Sequence, residues 1–191
     1  MKSVCVFCGS NVGINPIFKC AAQELGEILA EENIRLVYGG GSIGLMGVLA
    51  DAVLGNGGEV VGIIPQFLYD KEVGHDGNTE LIIVNSMHER KQKMAELSDG
   101  FIAMPGGIGT MEELFEIFTW SQLDLIKKPV SLYNVNHFYD ELLLFFNKMV
   151  EEGFIMKNTL DTLIKGPNIH EIIEKMKGYN STETLKQIKK T

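Results

Sequence analysis

Phe101-Ile102-Ala103-Met104-Pro105-Gly106-Gly107-Ile108-Gly109-Thr110-Met111-Glu112-Glu113 is the stretch that decides the fold. Phe101–Met104 is an apolar run that reads as a buried strand, and the segment from Leu114 to Leu123 behind the turn is amphipathic. A glycine-rich turn between a strand and a helix lets backbone N–H groups approach a ligand closely. The helix N-terminus adds partial positive charge at the same spot. The turn therefore suits a phosphate. Two carboxylates directly behind it set it apart, because an acid in the first helical turn of an anion site points to chemistry beyond the phosphate. The reading is a site for a phosphorylated sugar, with Glu113 near the reacting carbon. Thr110-x-x-Glu113 also fits a capping box, in which the Thr hydroxyl bonds the third helical N–H and the Glu reaches back to the cap N–H. From the motif alone both roles stand, and Glu112 and Glu113 can divide them.

Outward from this unit, short apolar runs alternate with amphipathic segments. The other strand candidates are Val4–Cys8, Arg35–Tyr38, Val60–Ile64, Leu81–Val84 and Val130–Tyr133, each apolar on both faces as in a parallel sheet covered on both sides. Asn15-Pro16 supplies an N-cap and a first-position proline, and Phe18, Ala22, Leu25 and Leu29 then line one helix face. Phe138, Leu142, Phe145 and Met149 do the same before Gly153 ends that helix. The pattern predicts an α/β fold, a single doubly wound Rossmann-like parallel sheet with helices on both faces. Ligands in such sheets bind beyond the carboxyl ends of the strands, where Gly9-Ser10, Gly39–Gly47 and Pro105–Glu113 would converge. Residues 70 to 80 read as a polar loop without a clear crossover helix. Residues 1–178 are expected to form one nucleotide-binding domain, followed by a polar tail, 179–191.

With 191 residues, the chain can bury roughly 70% of its unfolded surface. A net charge of −8 argues against a nucleic-acid partner or an anionic membrane, so a bound phosphate must be attracted locally. No apolar run is long enough to span a membrane, and Val4–Cys8 is too short for a signal peptide. An odd count of three cysteines makes no disulfide framework, and a cytoplasmic location is expected. Cys5-Val6-Phe7-Cys8 has redox spacing, but residues three apart in a strand point to opposite faces.

Gly39-Gly40-Gly41-Ser42-Ile43-Gly44 satisfies the dinucleotide pattern G-x-G-x-x-G, yet the next strand ends in Ile63-Ile64-Pro65-Gln66 without the acid that holds a ribose. A turn that packs close to a nucleotide, through Gly41, or to another backbone is the better reading. No phosphate-binding G-x-x-x-x-G-K-[ST] run occurs, and His75, His88, His137 and His170 lack metal-ligand spacing, so no metal and no cofactor are expected. Ser10 follows a strand and is assigned at most a phosphate or ribose contact. Met87-His88-Glu89-Arg90-Lys91 opens a helix running to Ser98, where Arg90 can fork onto a phosphate or a ribose-linked oxygen and Lys91 can act as a point charge.

Together these motifs resemble the "lonely guy" family of cytokinin riboside 5′-monophosphate phosphoribohydrolases, long labelled lysine decarboxylase-like. The resemblance covers residues 3 to 178. It includes Cys8-Gly9-Ser10, Tyr38-Gly39-Gly40-Gly41 to Gly47, Gly62-Ile63-Ile64-Pro65, Met87-His88-Glu89-Arg90-Lys91, P-G-G-x-G-T-x-x-E at Pro105–Glu113, and Thr119-Trp120. Lysine decarboxylation would need a pyridoxal cofactor and its Schiff-base lysine, and no segment resembles that site. The resemblance implies hydrolysis of the N-glycosidic bond of a nucleoside 5′-monophosphate with an adenine-type base, plain or N6-substituted, giving free base and ribose 5-phosphate. Such cleavage passes through an oxocarbenium-like state, and a carboxylate near C1′ stabilises the cation or activates water. Glu113 is the candidate, with Glu112 close behind. The family treats the counterpart of Arg90 as catalytic; a guanidinium does not release its proton near neutral pH, which leaves orientation and charge stabilisation. Gly106, Gly107, Gly109 and Thr110 would take the 5′-phosphate, helped by Lys91, while Glu72 and Thr119 align with positions lining the nucleotide site. The family is typically homodimeric, with sites near the subunit contact, so the resemblance implies a homodimer.

The chain departs from the pattern at Ile108, where an aromatic is common, and at Asp124-Leu125-Ile126, where many members carry a glycine; either departure bears on base preference. Two other classes compete with the hydrolase. A non-catalytic nucleotide sensor would use the same cradle, against which Arg90 and Glu113 count. An NAD-dependent oxidoreductase lacks its ribose-binding acid.

Overall fold

In the computed structural model, which describes residues 1–72 and 74–180 and gives Lys71 and Glu72 as backbone only, the chain begins in the middle of its own sheet. Among the described residues the strands are β1 (Ser3–Phe7), β2 (Arg35–Tyr38), β3 (Val60–Pro65), β4 (Glu80–Val84), β5 (Phe101–Ala103), β6 (Val130–Tyr133) and β7 (Ile164–Gly166). All pair in parallel in the order β4-β3-β2-β1-β5-β6-β7. The chain winds outward from β1 to β4, returns to pair β5 with β1 (Cys5 opposite Phe101), and winds outward the other way. The reversal puts a topological switch point at the carboxyl ends of β1 and β5, where such sheets open a crevice.

The helices are α1 (Ile17–Glu31), α2 (Gly44–Gly55), α3 (Gln66–Glu72), α4 (Met87–Leu97), α5 (Ile108–Gln122), α6 (Asp140–Glu151), α7 (Lys157–Asp161) and α8 (Ile169–Lys177). The two-residue period of β1 sorts them onto two faces. Val4, Val6 and Cys8 join Leu25 and Leu29 of α1, Leu49 of α2 and Ile172 of α8 in one apolar cluster. Cys5 and Phe7 join Met94 of α4, Leu114 and Phe118 of α5, and Phe146 of α6 in the other. The two sulfurs of the Cys5–Cys8 pair therefore lie on opposite faces of the sheet, as the strand period requires. Each large aliphatic side chain buried this way contributes on the order of 1.5–3 kcal/mol.

Several elements follow from local chemistry. Asn15 Oδ1 accepts the Ile17 N–H at 3.0 Å, so the side chain before Pro16 does cap α1. Ser86 caps α4 by accepting the Glu89 N–H. Four readings need correction. The face of α6 carries Phe146, not Phe145, which is exposed; the helix starts only at Asp140, so the register counted from Phe138 slips by one. Residues 66–72 are helical where the segment from 70 was expected to be loop. β4 is an edge strand with Glu80 and Ile83 exposed, so it is not covered on both sides. β7 and α8 complete the sheet and its first face without having been anticipated. The expected polar tail lies outside the described residues from 181 onward.

Candidate active site

Three turns meet at the switch point and are hydrogen-bonded into one floor. The Gly9 N–H donates to the Pro105 carbonyl at 3.1 Å, and the Gly9 carbonyl accepts the Leu45 N–H at 3.0 Å. The fit allows no side chain at Gly44, where φ is +67° and an added Cβ would stand 2.2 Å from the Ser10 carbonyl carbon. The Gly39–Gly44 turn thus packs on another backbone, one of the two readings open for it.

Gly107, with extended φ and ψ, is the N-cap of α5 and accepts the Met111 N–H through its carbonyl. A capping glycine has no side chain to satisfy the first N–H groups of the helix, which remain orphan donors at the positive end of the dipole. Gly107, Ile108 and Gly109 are exposed there, while Thr110 is buried beneath Gly106. This removes the capping-box role: Thr110 lies inside the first turn, not at its cap. No hydrogen bond among the described residues reaches the Glu113 carboxylate.

The Glu113 carboxyl is held well above its ordinary protonation range. Burial is the leading cause and pushes its pKa up to about 7; Arg90 pulls it down, Glu112 pushes it up, Lys91 pulls down and Glu116 pushes up. Arg90 is buried, and its Nε and Nη2 donate to the carbonyls of Ile63 and Gly39, each at 3.1 Å. Its Nη1 faces Met87 Sδ at 3.8 Å. Arg90 and Glu113 form no ion pair, so neither charge is neutralised by the other. Lys91, one residue on, is held by two acids. Its Nζ lies 2.5 Å from Glu112 and 3.0 Å from Glu116. Burial opposes its charge, but the bonds to Glu112 and then Glu116 outweigh it and raise its pKa.

The structure thus brings Arg90, Lys91, Glu112 and Glu113 together beside the turn of Gly106, Gly107, Gly109 and Thr110. Ser10 sits on the other side of that turn, at a cavity of about 260 Å³ walled by Gly9, Phe18, Pro105, Gly106 and Phe138. Arg90 and Glu113 do not line it. Gly41 is buried and bridges to Gly74. Thr119 is exposed, about 13 Å along the α5 axis from Thr110 at 1.5 Å per residue, and is not part of the cluster. The Glu72 side chain lies outside the described residues. Glu116 was missed; its four-residue spacing from Glu112 on one helix face was the available signal. Among the described residues no group of three His, Cys, Asp or Glu side chains is placed to hold a metal ion.

Known proteins are similar to this chain along nearly its whole length. A family described as possible lysine decarboxylase matches residues 46–176. A probable cytokinin riboside 5′-monophosphate phosphoribohydrolase of Oryza sativa subsp. japonica is 50% identical over 92% of this chain and 79% of its own. A cytokinin riboside 5′-monophosphate phosphoribohydrolase of Arabidopsis thaliana is 48% identical over 93% of this chain and 84% of its own. Among solved structures, the molybdenum cofactor binding protein of Rippkaea orientalis shares the fold, with a TM-score of 0.69 over 93% of this chain and 97% of that one; its 22% identity supports the fold alone.

Proposed function

We infer the function from a premise those similarities establish: the chain belongs to the family of cytokinin riboside 5′-monophosphate phosphoribohydrolases. It hydrolyses the N-glycosidic bond of AMP or of an N6-substituted adenosine 5′-monophosphate, releasing the free base and ribose 5-phosphate. The observation that carries the site assignment is Glu113: half-buried, without a hydrogen bond among the described residues, near neutrality in pKa, and nearly two helical turns behind an open glycine cap.

In this reading the exposed N–H groups of the first α5 turn bind the 5′-phosphate, with Gly106, Gly107, Gly109 and Thr110 shaping the cradle. The ribose then extends toward Glu113, whose ionised form faces the oxocarbenium-like centre or deprotonates the attacking water. Arg90, with two donors spent on carbonyls and a third turned to Met87 Sδ, keeps the other two for the substrate and stabilises the developing charge. Lys91 and Glu112 act as a pair: held by two acids, the ammonium adds to the field at Glu113 after burial, Arg90 and Glu112, and has no free lone pair. That same state argues against decarboxylation at Lys91, because a Schiff base needs a neutral amine.

The decisive assay incubates the protein with AMP, adenosine and an N6-prenyl AMP and follows free base. Release from at least one monophosphate, far faster than from adenosine, is expected; tight binding of all without release would make the protein a nucleotide sensor. The protein acts in the cytoplasm as a homodimer. Three free thiols, two of them buried, suit a reducing compartment, and exposed Ile108, Leu123 and Leu125 on and just beyond α5 supply apolar surface for a second copy. Light scattering at micromolar protein checks the dimer; a monomer at all concentrations would remove it.

A further inference from the structure

We propose that Gly39 is a positioning residue for Arg90: the side chain it lacks is the space the guanidinium occupies, and its carbonyl is one of the two that aim it. The inference rests on the reading of Arg90 as the charge-stabilising residue of the hydrolysis.

Arg90 starts on α4, yet its two fixed acceptors sit at the ends of β2 and β3. Nη2 donates to the Gly39 carbonyl and Nε to the Ile63 carbonyl, each at 3.1 Å. Two acceptors on one planar fork fix its plane as well as its place. A Cβ built on Gly39 would stand 2.0 Å from Arg90 Nη2, 3.2 Å from its Cζ and 3.2 Å from Met46 Sδ. The overlap is with the far end of a long side chain, and Gly39 does not adopt a left-handed backbone. Alanine there strains no backbone and pushes the guanidinium aside, at the expense of its bonds to the two carbonyls. The neighbouring glycines differ: Gly44 and Gly47 would meet the backbone of Ser10 and Ser42 at 2.2 and 2.0 Å. In a dinucleotide fingerprint the first glycine permits the tight turn. Here it also admits an arginine from another helix, which explains why the pattern occurs without the acid that would complete it.

The test compares Gly39→Ala, Arg90→Ala, the double variant and Gly55→Ala, whose added Cβ meets nothing within 4 Å. Base release from AMP and a melting curve are recorded for each. Gly39→Ala is expected to melt close to the parent, to lose on the order of 10²-fold in kcat with KM changed far less, and to leave the double variant no slower than Arg90→Ala. A pH profile adds a readout that plain destabilisation would not move. Arg90 and Lys91 draw the Glu113 pKa down against burial, Glu112 and Glu116. Moving the guanidinium away therefore shifts the acid limb to higher pH in Gly39→Ala and not in Gly55→Ala.

Native turnover in Gly39→Ala beside an inactive Arg90→Ala overturns the positioning role, as do losses that multiply in the double variant. Native turnover in Arg90→Ala overturns instead the reading on which the role rests. If Gly39→Ala fails to fold, removing the overlapping side chain in the double variant must restore the melt; failure to do so overturns the proposal.

Discussion

Two glycine-rich turns leave β2 and β5, the strands on either side of β1, and each opens a helix, but they are used in opposite ways. At Gly39–Gly47 the space beside the glycines is filled by the protein, by Arg90 at Gly39 and by backbone at Gly44 and Gly47. At Pro105–Thr110 it is filled only at Gly106, by Thr110, and then opens: Cβ atoms on Gly107 or Gly109 would meet nothing within 4 Å, and both residues are exposed. Glycine content marks close approach, and only the surroundings say whether the approaching atoms belong to the protein or to a ligand. The open turn takes the phosphate in our reading, while the filled one builds the wall against it.

The comparison breaks first at the acid behind the open turn. Glu113→Gln is expected to fold and to bind AMP but to lose about 10²-fold or more in kcat, the scale of electrostatic and acid–base contributions. Near-native turnover would hand the role to Glu112. At the filled turn the loss is of stability instead. Gly44→Ala forces a side chain into a left-handed backbone against Ser10, which costs about 1–3 kcal/mol from the backbone alone and more from the overlap. Denaturant melts would measure it, and an unchanged midpoint would show that the three turns are not locked together. Gly109→Ala sharpens the contrast from the other side: stability holds or rises, because alanine favours helix, while kcat/KM for AMP falls more than for adenosine.

A smaller effect is the pH dependence. Burial first, then the balance of Arg90, Glu112, Lys91 and Glu116, sets the Glu113 pKa near 7 against an ordinary 4.5. If the carboxylate is the working form, kcat rises with pH through about 7, and Glu113→Gln flattens that limb. Stability runs the other way: between pH 4.5 and 7 the unfolded chain ionises this acid before the folded one does, so this group lowers stability as pH rises across that window. Parallel kinetic and melting profiles would check both signs. Last comes a null effect. Turnover should survive EDTA, and a loss restored by one divalent ion would reveal a missed metal site.

Much of the fold is legible in the sequence. Strands β1 to β6 are legible as short apolar runs between amphipathic segments, and the convergence of Gly9, Gly39 and Pro105 follows from parallel winding. β7 escaped because Ile164-Lys165-Gly166 is three residues long and only partly buried, too short for a period to register. The face of α6 was misjudged because adjacent Phe145 and Phe146 both suit an apolar stripe, and only the helix start decides between them. At the site, residue types were readable but directions were not. Arg90-Lys91 looked like two cations free for phosphate. In the fold one turns inward onto carbonyls and the other onto Glu112 and Glu116, because those acceptors come from strands and a helix distant in sequence.

The central position of β1 also has a consequence during synthesis. Its first neighbour, β2, follows within one helix, but its second, β5, is made only when Phe101 emerges. At about 5–20 residues per second, the ribosome leaves one edge of Ser3–Phe7 unmatched for several seconds. The stretch is fully buried in the finished protein and carries no charge to deter pairing with a foreign strand. The nascent chain is thus most vulnerable to aggregation over that interval, and synonymous codons that slow translation between β2 and β5 would lengthen it.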